Sequence, residues 1–176
     1  EVDTIQNIMK KISEIAGVHY HEDETKDVSL RVITDHIRST VFMLADGVIP
    51  SNEGRGYVLR RLLRRAARHG RLLGINGPFL YQVVDTVVKE NHTAYPELAQ
   101  KQSYLEKIIL TEEENFDRTL NKGLELLTQL IDKAEEQGLS TLAGEDAFHL
   151  YDTFGFPIDL TREIASEKGL SIDVQH

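Results

Sequence analysis

Gly56-Tyr57-Val58-Leu59-Arg60-Arg61-Leu62-Leu63-Arg64-Arg65-Ala66-Ala67-Arg68-His69-Gly70-Arg71 (residues 56–71) reads as one face of oil and one of arginine. At about 100° per residue, Val58, Leu59, Leu62, Leu63, Ala66 and Ala67 share one side of a helix. Arg60, Arg61, Arg64, Arg65, Arg68 and Arg71 cover the other. The spacing predicts a helix that starts at Asn52 or Glu53 and reaches Leu73, where Gly74 and Gly77-Pro78 break it.

The same period runs outward in both directions. Ile5, Ile8, Met9, Ile12 and Ile15 predict a first helix from Thr4 to Ala16, closed by Gly17. After a polar loop, Val28, Val32, Ile33, Ile37, Val41 and Leu44 predict a second helix that starts near Asp27, an acceptable N-cap, and ends at Gly47. A fourth covers Phe79 to Glu90 and gives way at Tyr95-Pro96. Leu98, Leu105, Ile108, Ile109, Phe116, Leu120, Leu124, Leu127 and Ile131 then continue without a break to Gly138, which as one helix is about 60 Å long. That length outruns a small bundle, so the helix is expected to bridge subregions, with Glu112-Glu113-Glu114 solvated.

Beyond it lie a short helix from Glu145 to Thr153, the turn Phe154-Gly155-Phe156-Pro157 and a helix from Asp159 to Lys168. Strand-like alternation appears only from Leu170 to Val174. The fold class is therefore all-α: a multi-helix bundle of six or seven helices, one long bridging helix and a small C-terminal helical subregion. The possible subregions are 1–95 and 96–176.

At 176 residues and 40% hydrophobic content the chain can bury a core of its own. It has no cysteine, which removes disulfides, zinc–thiolate sites and thiol nucleophiles, and points to a reducing, cytoplasmic setting. The longest purely apolar run, Val41 to Ala45, is far short of a membrane span. Without an initiating methionine or a signal-like start, the chain is expected to be processed or cut from something longer.

Charge is unevenly placed. Seven arginines and one glutamate lie between Pro50 and Arg71, whereas the whole chain has 20 basic and 29 acidic residues, so the remainder carries −15. Arginine's planar fork suits phosphate better than the point charge of lysine, so a phosphate-rich partner is implied. The bland alternative is a solvated face balanced by acidic neighbours, but this run has one sign and few acidic partners within its own helix. Arg55-Gly56 follows Gly54, yet Leu59 stands where a dinucleotide fingerprint needs glycine, no strand precedes it, and no Gly-Lys-Ser/Thr loop occurs. Asn52 reads equally as an N-cap amide or as a polar group at a helix N-terminus, where phosphate or a base edge binds well.

The seven histidines, His19, His21, His36, His69, His92, His149 and His176, never take a His-x-x-x-His or Glu-x-x-His spacing, so no metal is expected. No carboxylate pair stands out as acid and base. Tyr151-Asp152-Thr153-Phe154-Gly155-Phe156-Pro157 reads as a buried aromatic corner that holds Asp152 and Thr153 in one place.

Three segments then carry a resemblance. Arg31-Val32-Ile33-x-Asp35-His36-Ile37-Arg38 is one, and Ala45-Asp46-Gly47-x-x-Pro50-Ser51-Asn52-Glu53-Gly54-Arg55-Gly56-Tyr57-Val58-Leu59-Arg60-Arg61-x-x-Arg64-Arg65-Ala66 another. The third is Tyr151-Asp152-Thr153-x-Gly155-Phe156-Pro157-x-Asp159-Leu160-Thr161. Together they resemble the bacterial alanyl-tRNA synthetases over essentially the whole chain. The resemblance implies the helical tRNA-recognition domain between a class II catalytic domain and an editing domain. Neither of those is in this sequence, so the chain alone should not activate alanine; ATP, Mg2+ and the editing domain's zinc would belong to the absent parts, leaving no cofactor here.

The resemblance further implies recognition of a G·U wobble pair in the acceptor stem of tRNA-Ala by Asn52 and Asp152. A wobble pair leaves the guanine 2-amino group without its usual partner, and the wide minor groove of A-form RNA exposes it. A carboxylate only accepts, so Asp152 suits that amino group; an amide donates and accepts, so Asn52 could meet the uracil 2-oxygen or the same amino group. Arg55, Arg60, Arg61, Arg64, Arg65, Arg68 and Arg71 would hold the RNA backbone. The alternative is an interdomain docking module whose basic helix packs on the rest of the same polypeptide. DNA is disfavoured, because no recognition-helix turn is apparent.

Overall fold

The computed structural model describes residues 2–154 and 156–173. Gly155 of the aromatic turn, Val174 of the alternating run and His176 lie outside the described residues. Seven helices and two three-residue strands make up the described chain: α1 (Val2–Ala16), α2 (Glu24–Ala45), α3 (Gly54–Leu72), α4 (Leu80–Glu90), α5 (Glu97–Glu136), β1 (Thr141–Ala143), α6 (Gly144–Phe154), α7 (Ile158–Glu167) and β2 (Ser171–Asp173). They form two compact units, residues 1–115 and 116–176, with the division within α5.

In the first unit the apolar stripes meet as their periodicity requires. Ile8 and Ile12 of α1, Leu30, Ile33, Ile37 and Val41 of α2, Leu59 and Ala66 of α3, Leu80, Val83, Val84 and Val87 of α4, and Leu105 and Ile109 of α5 are fully buried. Helix α2 begins a turn earlier than Asp27. Its cap is Asp23, whose carboxylate accepts from the backbone N–H of Thr25 at 2.8 Å and of Lys26 at 3.2 Å. Asp27 is instead buried inside the first turn and accepts from the His21 N–H at 2.8 Å, fixing the preceding loop.

The acidic triplet of α5 is not the solvated run its composition suggests. Only Glu114 is exposed. Glu113 is buried and accepts from the backbone N–H groups of Phe79 (3.1 Å), Leu80 (2.7 Å) and Tyr81 (3.3 Å). Phe79 provides no side-chain cap, so Glu113 satisfies the otherwise orphaned donors at the start of α4 and places a negative charge at its positive end.

His36 of α2 is packed in this core, its Nδ1 at 3.2 Å from Asp35 Oδ2 and its Nε2 buried without a hydrogen-bond partner. Burial pushes its pKa below the ordinary 6.5; the hydrogen bond to Asp35 opposes this, and the charges of Arg65 and His69 reinforce it. A folded pKa below the unfolded one means that the unfolded chain binds the proton more readily. Stability contributed by neutral His36 is thus complete above about pH 6.5 and is lost as pH falls through and below that value. Urea unfolding at pH 7.5 and 5.5 should show a larger loss for the wild-type chain than for His36→Gln.

The second unit is small. Phe116, Leu120, Leu127 and Ile131 of α5 are buried with Leu150 of α6, Phe156, and Leu160 and Ala165 of α7. Strands β1 and β2 pair in parallel, Leu142 opposite Ile172, both buried. The alternation at Leu170–Asp173 marks β2, while Thr141–Ala143 is too short to show a period of its own. Gly123 of α5 lies against the Phe156 ring so closely that a β-carbon there would overlap it.

Candidate nucleic-acid interface

The arginine helix α3 is set by what its first turn can approach. Gly56 is buried, and a β-carbon on it would overlap the Ile49 carbonyl oxygen and the Ser51 side chain. Only glycine lets the loop from Ile49 to Glu53 fold back on the helix. Ser51 Oγ donates to the Glu53 carbonyl at 2.8 Å and closes that loop. The cap residue of α3 is Glu53, without a side-chain cap hydrogen bond, so Asn52 is not the N-cap amide. Its side chain is exposed and has another use: Asn52 Oδ1 accepts from Arg60 Nη1 at 2.7 Å.

Arg60 is in turn held from the other side. Its Nε and Nη2 donate to the two carboxylate oxygens of Glu112 at 3.1 and 3.2 Å, a side-on pair with both partners largely shielded from solvent. This fork leaves the third corner of the guanidinium aimed at Asn52.

The wheel puts the six arginines from Arg60 to Arg71 on one open face; the structure separates the arginines of this helix by environment. Arg55, Arg61 and Arg65 are exposed. Arg55 and Arg65 make no ion pair among the described residues, and the Arg61 guanidinium lies 5.9 Å from the centre of the Tyr57 ring. Arg64 and Arg71 are half-buried, and Arg61, Arg64, Arg68 and Arg71 all have interactions within the protein. Arg68 is buried, at 6% exposure, because the helix is embedded along more than its apolar stripe. Near it, His69 Nδ1 meets Ser29 Oγ of α2 at 2.9 Å. Val58, expected on the core side, is 46% exposed, and with Ile49 at 68% and Leu72 at 49% it leaves apolar surface around the basic one.

Asp152 belongs to the second unit, in the last turn of α6. Its carboxylate is exposed and accepts no hydrogen bond among the described residues. The corner after it is buried as expected at Phe156 and Pro157, and the Phe156 N–H donates to the Leu150 carbonyl at 3.0 Å. Thr153 Oγ1 lies 3.2 Å from His149 Nδ1. Asn52 and Asp152 thus sit in different units, one amide with its oxygen occupied and one carboxylate with both oxygens open.

Sequence reasoning missed Glu112. As one of three successive glutamates it carries no local mark that it pairs with an arginine 52 positions earlier. Among the described residues no group of three histidine or acidic side chains is placed to hold a metal ion, and no helix is long and apolar enough to cross a membrane.

Comparison with known proteins gives the class. The chain belongs to the family described as tRNA synthetases class II (A), whose model matches residues 1–176. Within that class it is similar to bacterial alanine–tRNA ligases: 57% identical to that of Caldicellulosiruptor saccharolyticus, 53% to that of Clostridioides difficile and 56% to that of Thermoanaerobacter sp. strain X514. Each match covers 98% of this chain and 20% of the relative, so the chain spans about a fifth of the length of these ligases.

Proposed function

We propose that this chain is the acceptor-stem-recognising region of an alanine–tRNA ligase, presenting the G·U wobble pair of tRNA-Ala to a catalytic domain elsewhere in the polypeptide. The observation that supports this reading is the exposed arginine surface of α3, which begins beside the exposed Asn52 amide; the second unit presents, by itself, the exposed carboxylate of Asp152. Arg55, Arg61 and Arg65 grip phosphates without regard to sequence. Asp152, an acceptor with no partner of its own among the described residues, takes the guanine 2-amino group. Asn52 reads the uracil side of the pair. The half-buried Arg64 and Arg71 and the buried Arg68 contribute positive potential more than direct contact.

The test is titration of the chain with an acceptor-stem hairpin carrying G·U and with its G·C counterpart. Asn52→Ala and Asp152→Ala should each erase most of the preference, roughly tenfold, as expected when one polar group is left unsatisfied. Arg55→Ala and Arg65→Ala should weaken both hairpins about equally. Preference untouched by Asn52→Ala and Asp152→Ala would remove them as readers.

A second reading keeps the basic helix as a docking surface for the rest of the enzyme. The exposed Ile49, Val58 and Leu72 favour it, because phosphates have no use for apolar side chains. Failure to bind either hairpin at low salt, alongside binding to the catalytic domain, would select it.

A further inference from the structure

We infer that Arg60, clamped by Glu112, fixes the polarity of the Asn52 amide, so that Asn52 acts on RNA only as a hydrogen-bond donor; this rests on the reading of Asn52 as a base reader. A guanidinium has donors and no acceptor, so the atom of Asn52 facing Arg60 Nη1 at 2.7 Å must be the amide oxygen. A flipped amide would set N–H against N–H. Arg60 cannot readily turn away, because two of its other nitrogens are spent on both oxygens of Glu112, at 3.1 and 3.2 Å. Asn52 Nδ2 has no hydrogen bond among the described residues, and the side chain is exposed.

An outward donor selects its ligand. It matches an acceptor on the RNA, a carbonyl oxygen of the wobble uracil, and it opposes the guanine 2-amino group, which is itself a donor. Of the two contacts open to an unoriented asparagine, one is therefore excluded before RNA arrives. Arg60 is a positioning residue in this account, and Glu112 positions it in turn. That separates Arg60 from the arginines that hold phosphate.

Asn52→Asp is the direct test, because it keeps the shape and the bond to Arg60 but replaces the outward donor with an acceptor. Hairpin titrations should show Asn52→Asp losing the G·U preference about as fully as Asn52→Ala, roughly tenfold. If Asn52→Ala loses the preference and Asn52→Asp keeps it, the donor assignment is overturned while the reader assignment stands. If neither variant changes the preference, Asn52 is no reader and both fall.

Glu112→Ala separates positioning from phosphate binding. Released from its clamp, a positioning Arg60 should cost G·U binding a few-fold and leave G·C binding and the salt dependence unchanged. Tighter binding to both hairpins with a steeper salt slope would mean that Arg60 is a phosphate ligand held in reserve, and would overturn the inference. Side-chain amide relaxation in the free chain reads the clamp without RNA. Asn52 should be restrained in the wild type and mobile in Arg60→Leu; equal mobility in the two overturns it.

Discussion

Glu113→Ala should cost the first unit about 3 kcal/mol or more, the largest loss expected from any single carboxylate in the chain. Three backbone N–H groups at the start of α4, on Phe79, Leu80 and Tyr81, find their acceptor in this one side chain. Phe79 and Leu80 are buried, so water cannot readily replace it. A hydrogen bond to a charged group contributes about 1.5–3 kcal/mol, and leaving several donors unsatisfied in a core costs a similar amount for each that cannot reorient. Urea unfolding should give the loss, and amide exchange should place it: Leu80 and Tyr81 should lose protection before the core of α2. Glu113→Gln, which keeps one carbonyl oxygen but turns an N–H2 towards the remaining donors, should fall between. A variant as stable as the wild type would mean that α4 does not depend on this cap.

Gly123→Ala should destabilise the second unit by about 1–3 kcal/mol, against the usual sign. In an ordinary helix interior, glycine to alanine gains about 1 kcal/mol from reduced chain entropy and better propensity. At position 123 the added carbon would overlap Cδ2, Cε2 and Cγ of Phe156, whose ring is fully buried and has nowhere to go. A smaller partner should relieve the clash. Phe156→Leu is therefore expected to cost less in the Gly123→Ala background than alone, with a coupling of roughly 1 kcal/mol in chemical denaturation. The consequence reaches Asp152, because Phe156 anchors the chain soon after the turn of α6 that presents it. A stabilised Gly123→Ala chain would contradict the packing described.

The helices were legible because their cores are built from residues three and four apart. Ile8 and Ile12, Ile33 and Ile37, or Leu59 and Leu63 announce their faces without any tertiary information. Helix α5 was visible for the same reason, an apolar stripe from Leu98 to Ile131 with no glycine–proline break. What periodicity does not encode is which polar residues a neighbouring element claims. Glu112 and Glu113 are adjacent in sequence, yet one clamps Arg60 of α3 and the other caps α4, and a run of three glutamates looks the same as a solvated one.

The surroundings of the candidate site residues were legible only in part. Concentration of arginine pointed to α3, but a helical wheel cannot show that Arg68 is buried while Arg65, three positions earlier, is exposed. The wheel assumes one buried side, and α3 is embedded on more than one. Asn52 sits at the N-terminal end of the helix as expected, but its amide serves Arg60 rather than the backbone, a choice made by Glu112 from α5. Asp152 is exposed on the last turn of α6 before a buried corner.

The proposed role turns most directly on binding of the wild-type chain to two acceptor-stem hairpins that differ only in G·U against G·C, each titrated at low and at physiological salt. Affinity for both should fall steeply with salt, as phosphate contacts release counterions, while the ratio between them should stay near tenfold in favour of G·U. Equal affinity for the two hairpins at both salt concentrations would contradict the account.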